Sequence, residues 1–255
     1  MDTVDIQRNQ YSASMFMLAY FGFQPSTFID IGAAEAAFFL SRRETGLFPG
    51  ARHFFVDAMQ ENEEVYRKIG AKFGTGHEIA AMSSADGTTT MRIDPDFYNT
   101  HVDKIQDDAG YEELRSVRMT TLDSLVARHA LQPPFAIKLD IQGAELDALR
   151  GASRTLEQTV LVTSEIRLAN QRDTLAELLS FMKEAGWVLF DLTNLSYSPA
   201  HQLLLECYAT FIPARLEFRN ELPWALPEQT ANLHGVLRER RQENIKAVDE
   251  MLRNM

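Results

Sequence analysis

Apolar runs with the composition of β-strands alternate with helical patterns from residue 27 to about residue 192 of this 255-residue chain. Strands that are separated by helices pair in parallel, so the alternation predicts an α/β fold with a mainly parallel sheet and helices on both of its faces. The predicted strands lie at residues 27–31, 52–56, 77–82, 135–140, 159–165, 187–191 and 206–212. The sequence therefore predicts one domain built on a seven-stranded sheet.

Other segments depart from this alternation. Residues 1–26 contain an apolar run much shorter than the ~20 residues that span a bilayer, and we expect a helical segment packed on the domain at 27–213. Within that domain, Asp86-Gly87 between two β-prone runs predicts a tight hairpin. The polar stretch 94–116 is typical of an inserted lid or binding loop. Residues 214–255 predict a C-terminal helical extension that packs on its own chain or forms a homo-oligomer.

The charge balance disfavours one class of partner. The chain has 25 Lys and Arg against 36 Asp and Glu, a formal net charge of −11, whereas nucleic-acid binding depends on clustered Lys and Arg. The acidic first residues lack the basic flank of an export signal. The single cysteine, Cys207, cannot form an intramolecular disulfide and is expected to be a buried, unreactive thiol. The sequence thus predicts a cytoplasmic protein with no membrane span and no nucleic-acid partner.

The segment FIDIGAAEAAFFL, residues 28–40, passes from a strand through Asp30 and Gly32 directly into a helical pattern. A glycine lets a ligand approach the backbone, and amides at the start of a helix can bind a carboxylate. Many such turns bind nothing, so this motif alone is weak. Gly32 is the only glycine between residues 23 and 45, which disfavours NAD or FAD because a dinucleotide site requires G-x-G-x-x-G.

Asp57 follows the second predicted strand and lies 27 positions after Asp30. An acidic residue at this strand end faces the same crevice and can accept both ribose hydroxyls of a nucleoside. The alternative interpretation is that Asp57 caps a helix that begins near Glu61.

Lys138 and Asp140 end the apolar strand in FAIKLDIQGAELDALRGA, residues 135–152. Two ionisable groups there are costly unless they are paired or used. Their equal parity places both side chains on one face of the strand, so they could form a structural ion pair beside the turn at Gly143. Glu165, at the end of the fifth strand, could line a pocket or pair with Arg167.

The segments FIDIGAAEAA, VDAMQEN, KLDIQGAELDALRGA and MTTLDSLVARHAL resemble the corresponding parts of the FkbM methyltransferase family, over about residues 27–192. The resemblance implies a Rossmann-like class I methyltransferase fold, S-adenosyl-L-methionine as cofactor, and methylation of a hydroxyl on a small molecule or glycan. Two positions depart from the family pattern, with Ala36 in place of a glycine and Gln142 in place of an acidic residue. They leave open a catalytically silent cofactor-binding or interaction subunit of the same fold.

The resemblance also implies a role for each candidate residue. We predict Asp140, as base or as the group that positions the acceptor, together with Lys138 and Glu165 as catalytic residues, with His201 as a weaker candidate and no metal site. The predicted cofactor-binding residues are Asp30, Gly32, Ala33, Ala34 and Glu35 at the methionine part, Asp57 at the ribose, Ala58 and Met59 beside the adenosine, Ala81, Met82 and Ser83 beside the adenine, and Asp140 and Gln142 at the methyl-transfer site.

Overall fold

The computed structural model describes residues 10–43, 47–93, 101–102, 113–168, 174–221, 238–239 and 241–242. In chain order the first elements are α1 (Tyr11–Tyr20), β1 (Thr27–Ile31), α2 (Ala37–Arg43), β2 (Arg52–Asp57), α3 (Glu63–Phe73), β3 (Gly76–Ile79), β4 (Ala81–Met82), β5 (Gly87–Ile93), β6 (His101–Val102) and β7 (Glu113–Thr120). They are followed by α4 (Leu122–Arg128), β8 (Phe135–Leu139), α5 (Glu145–Arg150), α6 (Ser153–Glu157), β9 (Thr159–Arg167), α7 (Thr174–Glu184), β10 (Trp187–Tyr197) and β11 (Leu204–Pro213). Short 3-10 turns lie at Gln60–Asn62, Ala214–Leu216 and Arg219–Glu221.

The chain divides into two compact units, Met1–Leu216 and Glu217–Met255. Most of the predicted insertion at 94–116 lies outside the described residues, as does most of the predicted C-terminal extension at 214–255. Among the residues that the structure describes, no helix is both long enough and apolar enough to cross a membrane.

The first unit contains a seven-stranded sheet with the order β10-β11-β9-β8-β1-β2-β3. Strand β1 pairs in parallel with β2 and with β8, while β11 is antiparallel to both of its neighbours, β9 and β10. The predicted seven-stranded, mainly parallel sheet is confirmed. Strand order reverses between β1 and β8, and in open α/β sheets ligands bind beyond the carboxyl ends of the strands at such a point.

Helices cover both faces of this sheet, as alternate residues of β2 show. Phe54 packs in the same cluster as Leu122 and Leu125 of α4, whereas Phe55 packs with Phe39 of α2 and Tyr66 of α3. Successive side chains of a strand point to opposite faces, so the two clusters lie on opposite sides of the sheet. The apolar runs of the sequence thus form strands that are buried on both faces, as expected for a parallel sheet.

Two predictions for the region after β2 are wrong. The predicted strand at 77–82 is divided, because β3 belongs to the main sheet while β4 pairs with β7 in a second sheet of order β4-β7-β5-β6. Asp86-Gly87 does not form a hairpin, since β4 and β5 lie on either side of β7. The carboxylate of Asp86 instead accepts hydrogen bonds from Thr120, Thr121 and Ser124 at 2.7–3.0 Å. These donors are distant from Asp86 in sequence, and their hydrogen bonds to it hold the start of α4 in place.

Two helices pack on the main sheet as their apolar residues require. In α1, Met15 and Leu18 are fully buried, and Ser14 Oγ donates to Asp191 of β10 at 2.8 Å. In α7, Leu178 and Met182 are buried, and the helix is followed by Gly186 at φ +82°. Glycine adopts this left-handed conformation without the penalty that a side chain would bring.

Candidate functional site

A cleft of about 430 Å³ lies at the carboxyl ends of β1, β2, β8 and β9. Its volume falls within the ~300–1,000 Å³ range of small-molecule sites. The predicted residues that line it are Gly32, Ala33, Ala34, Glu35, Asp57, Ala58, Met59, Ala81, Met82, Lys138, Asp140, Gln142 and Glu165. The structure therefore brings most of the predicted site residues together at the edge where the strand order reverses.

Gly32 begins the turn after β1, and its backbone conformation explains why glycine is required. Its φ is +75°, and a Cβ atom built there would lie 1.8 Å from the backbone oxygen of Asp140. From the sequence, we expected the missing side chain of Gly32 to make room for a ligand. In the structure the first atom in its way belongs to the chain itself, so Gly32 allows the turns after β1 and β8 to pack together.

Ala36, which replaces a glycine of the family pattern, has φ +59° and is fully buried. A left-handed conformation costs an L-residue about 1–2 kcal/mol, a penalty that glycine would not carry. The alanine nevertheless adopts the turn, with its N–H donating to Ala33 O at 2.7 Å. The substitution therefore leaves the turn beside the cleft intact.

Asp57 joins the end of β2 to the turn after β1. Its carboxylate accepts hydrogen bonds from Ala34 N and Met59 N, both at 2.8 Å, and Tyr66 Oη lies 3.3 Å from Oδ2. Burial raises the pKa of Asp57, although these donors act in the opposite direction. The interpretation of Asp57 as the cap of a helix beginning near Glu61 is wrong, because Met59 precedes the 3-10 turn at Gln60–Asn62 and Asn62 precedes α3. Asp57 lines the cleft together with Asn62, whose side chain is a further donor to its carboxylate.

Asp30 lies beneath the cleft rather than on its wall. The residue is fully buried, and Lys138 Nζ lies 3.2 Å from its Oδ1, whereas its Oδ2 has no hydrogen-bond partner among the described residues. Burial raises the pKa of Asp30. The predicted contact of Asp30 with the methionine part is therefore corrected, because its carboxylate faces the core and acts on the site through Lys138.

Lys138 also pairs with Asp140, as its parity on the strand predicted, with Nζ 3.3 Å from Asp140 Oδ2. Tyr208 Oη donates to the same oxygen at 2.6 Å. Burial raises the pKa of Asp140, but Lys138, Tyr208 and Glu165 together bring it below its ordinary value. Asp140 is therefore ionised at neutral pH.

The pKa of Glu165 is shifted in the opposite direction, although its carboxyl group lies in the same cluster as that of Asp140. Burial, followed by the negative charge of Asp140, raises the pKa of Glu165 to about 9. Gln142 Nε2 connects the two carboxyl groups, at 3.2 Å from Glu165 Oε2 and 3.4 Å from Asp140 Oδ1. At neutral pH the pair thus holds one proton, which resides on Glu165.

The turn after β8 holds this pair in place, with Gln142 at φ +59° and Gly143 at φ +100°. Glu145 Oε1 accepts hydrogen bonds from Ile141 N at 3.0 Å and from Gly143 N at 3.1 Å. The tight turn predicted at Gly143 is confirmed. Glu145 was expected only to begin a helix, and its buried carboxylate additionally supports the turn from inside.

Some predicted residues lie elsewhere. Ser83 does not line the cleft, because its N–H donates to Thr120 O at 3.0 Å and its carbonyl packs against Gly151. His201 is in an exposed turn between β10 and β11, away from the cleft. Cys207 is buried, and burial raises the pKa of its thiol.

Several further residues of the site were not predicted from the sequence, namely Glu61, Asn62, Tyr66, Met91, Glu206 and Tyr208. Arg167 was predicted only as an ion-pair partner for Glu165. It lines the cleft, with its Nε 4.0 Å from Glu206 Oε2. The two residues come from neighbouring strands, β9 and β11, and are register partners. Only the register of these strands could have shown that they meet.

A sequence profile of the methyltransferase FkbM domain matches residues 30–189, well over half of the chain. The chain belongs to the FkbM methyltransferase family. Its fold is the Rossmann-like class I methyltransferase fold, and its cofactor is S-adenosyl-L-methionine. No curated protein matches the chain.

Solved methyltransferase structures resemble this member of the FkbM family at low identity. Methyltransferase FkbM from Methylobacillus flagellatus KT has a TM-score of 0.44 and 15% identity over 72% of this chain, which spans 43% of that protein's length. Precorrin-6y C5,15-methyltransferase from Geobacter metallireducens GS-15 has a TM-score of 0.40 and 12% identity, over 83% of this chain and 93% of that one. Streptococcus pneumoniae Sp1610 in complex with S-adenosyl-L-methionine has a TM-score of 0.44 and 9% identity, over 80% and 73%.

The cleft fits this cofactor in charge and in lining. S-adenosylmethionine carries a sulfonium and an ammonium against one carboxylate, and so is positive. With Glu165 protonated, the acidic groups on the wall outnumber the cations Lys138 and Arg167; they are Glu35, Asp57, Glu61, Asp140 and Glu206. Met59, Ala81, Met82 and Met91 provide apolar surface on the wall of the cleft, as an adenine ring requires.

Proposed function

We propose that the chain transfers a methyl group from S-adenosylmethionine to a hydroxyl oxygen of a small molecule or glycan, and that Asp140 receives the hydroxyl proton. The observation that carries this proposal is an ionised carboxylate on the wall of the cleft. Its charge is held by Lys138 at 3.3 Å and by Tyr208 at 2.6 Å. A base that faces a ligand crevice is the group that a hydroxyl acceptor needs.

The cofactor-binding roles divide along the cleft. We assign the methionine part to the turn Gly32–Glu35, the ribose to Asp57, and the adenine to the surface formed by Met59, Ala81 and Met82. Asp57 suits its role because it remains on the cleft wall while two backbone donors hold its carboxylate in position. The methyl group then belongs beside Asp140 and Gln142, at the end of β8.

The reaction needs one proton acceptor and one oriented hydroxyl. When bound, S-adenosylmethionine would supply the methyl carbon, whose bond to the positive sulfur would be exchanged for a bond to the acceptor oxygen with its electron pair left on sulfur. Asp140 would accept the proton that the acceptor hydroxyl loses. Glu165, protonated at neutral pH, can donate a hydrogen bond within the same group of side chains, and Lys138 balances the charge of Asp140 from beneath.

The proposal is tested by following labelled methyl transfer into metabolite and glycan extracts, and then by substituting Asp140. Asp140→Asn should retain cofactor binding and lose about 10²–10⁴-fold in turnover, the usual contribution of a general base. Asp147→Asn is the matched control, because Asp147 lies on α5 and pairs with Arg150 at 3.1 Å. Turnover near that of wild type in the Asp140 variant would remove Asp140 from the mechanism. Cofactor binding without transfer to any acceptor would instead favour the silent subunit.

A further inference from the structure

Tyr208 lies outside the segment that matches the family profile, yet its hydroxyl reaches the centre of the site. Tyr208 is a residue of β11 and is the register partner of Glu165 on β9. The side chains of such partners stand side by side on one face of the sheet. From this position the phenol, 9% exposed, donates to Asp140 Oδ2 at 2.6 Å. That length is typical of a hydroxyl that donates to an ionised carboxylate.

The two oxygens of Asp140 have different surroundings. Oδ2 lies 2.6 Å from Tyr208 Oη and 3.3 Å from Lys138 Nζ. Oδ1 has a long contact, at 3.4 Å, with Gln142 Nε2, which also donates to Glu165 Oε2 at 3.2 Å. Tyr208 and Lys138 therefore converge on one oxygen of Asp140, and Glu165 donates a further hydrogen bond to the same carboxylate.

We propose that Tyr208 is a positioning residue for methyl transfer. Together with Lys138, its hydroxyl fixes the negative charge of the Asp140 and Glu165 pair on Asp140, the carboxylate that takes the acceptor proton. The catalytic part of this inference rests on the proposed function, because it assigns Asp140 as the base. Its electrostatic part stands on the contacts of Tyr208 alone.

Several titratable groups face Asp140 from the elements packed around it. They are Lys138 on its own strand, Asp30 on β1, Glu165 on β9 and Glu145 on α5, and Arg167 and Glu206 act on Glu165 in turn. Tyr208→Phe changes none of these charges and removes one neutral donor. A hydrogen bond to a charged group has the strength to move a titration midpoint by about one to two pH units. Loss of the donor destabilises the ionised form, so the midpoint of Asp140 should rise.

The test is a carboxyl ¹³C NMR titration of the full chain, in which the Asp140 resonance is assigned by its loss in Asp140→Asn. In Tyr208→Phe we expect the midpoint of Asp140 to rise by about one to two pH units. Tyr197→Phe is the matched control, because Tyr197 is 49% exposed on β10, and its midpoint should equal that of wild type. An unchanged midpoint in Tyr208→Phe would overturn the proposal.

A second replacement keeps the test open if Tyr208→Phe does not fold. Incorporation of 3-fluorotyrosine at position 208 preserves the shape of the phenol and makes it a stronger donor, so the midpoint should fall. No change, or a rise, would count against the proposal. Once an acceptor is known, the acid limb of the turnover profile should move with the titration in both variants while cofactor affinity stays constant. A limb that does not move overturns the positioning role, whereas absence of transfer by wild type is a failure of the proposed function alone.

Discussion

Replacement of Gly32 by alanine places a methyl group where the structure has the backbone carbonyl of Asp140. The added Cβ would lie 1.8 Å from that oxygen and 2.7 Å from its carbon, and the residue would keep φ +75°. The left-handed conformation costs about 1–2 kcal/mol and overpacking about 1–3 kcal/mol. Separation of the two turns also strains the bond from Asp140 N to Ile31 O, at 3.0 Å, whose loss costs about 0.5–1.5 kcal/mol. Gly32→Ala should therefore lower the free energy of unfolding by about 3–6 kcal/mol.

Gly74→Ala is a matched control for this substitution. Gly74 has φ +70° at the end of α3, and a Cβ atom there would have no neighbour within 4 Å. The free energy of unfolding of Gly74→Ala should therefore fall only by the cost of the left-handed conformation, about 1–2 kcal/mol. The difference between the two variants isolates the contact between the turns after β1 and β8.

Urea unfolding measures both stabilities, and calorimetry with S-adenosylmethionine measures the consequence for the site. Because the displaced carbonyl belongs to Asp140, Gly32→Ala should also weaken cofactor binding, whereas Gly74→Ala should leave it unchanged. Equal stability losses in the two variants would refute the argument that the turns pack against each other through Gly32.

Two further predictions concern carboxyl groups of the cleft. Asp57→Ala should weaken cofactor binding by about 1.5–3 kcal/mol. Because Ala34 N and Met59 N lose their acceptor, it should also lower the free energy of unfolding by about 1–3 kcal/mol. Calorimetry measures the first effect and urea unfolding the second, and an unchanged affinity would remove Asp57 from the ribose site. The pKa of Glu165 is about 9 in the folded protein against 4.5 unfolded, so the folded state retains a proton that the unfolded chain releases, and stability falls as pH rises between these values by at most about 1.4 kcal/mol per pH unit. His53, whose pKa is lowered to about 4 from 6.5 by burial, acts in the opposite sense below 6.5, so Glu165→Gln should flatten the slope between pH 6.5 and 9. Urea unfolding between pH 6.5 and 9 measures this slope of stability against pH. An equal slope in wild type and Glu165→Gln would contradict the protonated state assigned to Glu165.

The sheet was predictable from the sequence because each strand is marked by a local pattern of residues. Residues such as Phe54 and Phe55 belong to short apolar runs that are buried on both faces, and such runs mark parallel strands regardless of their neighbours. The pairing of Lys138 with Asp140 was also predictable, since parity along one strand decides it. Asp57 was predicted from its place at a strand end, where topology brings residues to one edge of the sheet, whereas the resemblance to the FkbM family supplied most of the other residues that line the cleft.

The missed features depend on contacts between distant parts of the chain. Asp86-Gly87 has the composition of a hairpin turn, but donors around Thr120 and Thr121 satisfy its carboxylate and β7 separates the two strands. Tyr208 contributes to the site only because β11 is inserted beside β9 with Tyr208 opposite Glu165. No short-range pattern encodes that register.

The assignment of the base illustrates why acidic residues cannot be ranked from sequence alone. Asp30, Asp140 and Glu165 come from neighbouring strands, and the ammonium of Lys138 lies between the first two, at 3.2 and 3.3 Å. Burial disfavours charge on all three, and in Asp30 and Glu165 it prevails, so that both pKa values are raised. Only Asp140 combines Lys138 with a second strong donor, Tyr208, and it alone of the three has a lowered pKa. The negative charge consequently faces the cleft instead of the core, and the geometry of the donors, more than the number of carboxylates, decides where a proton can be accepted.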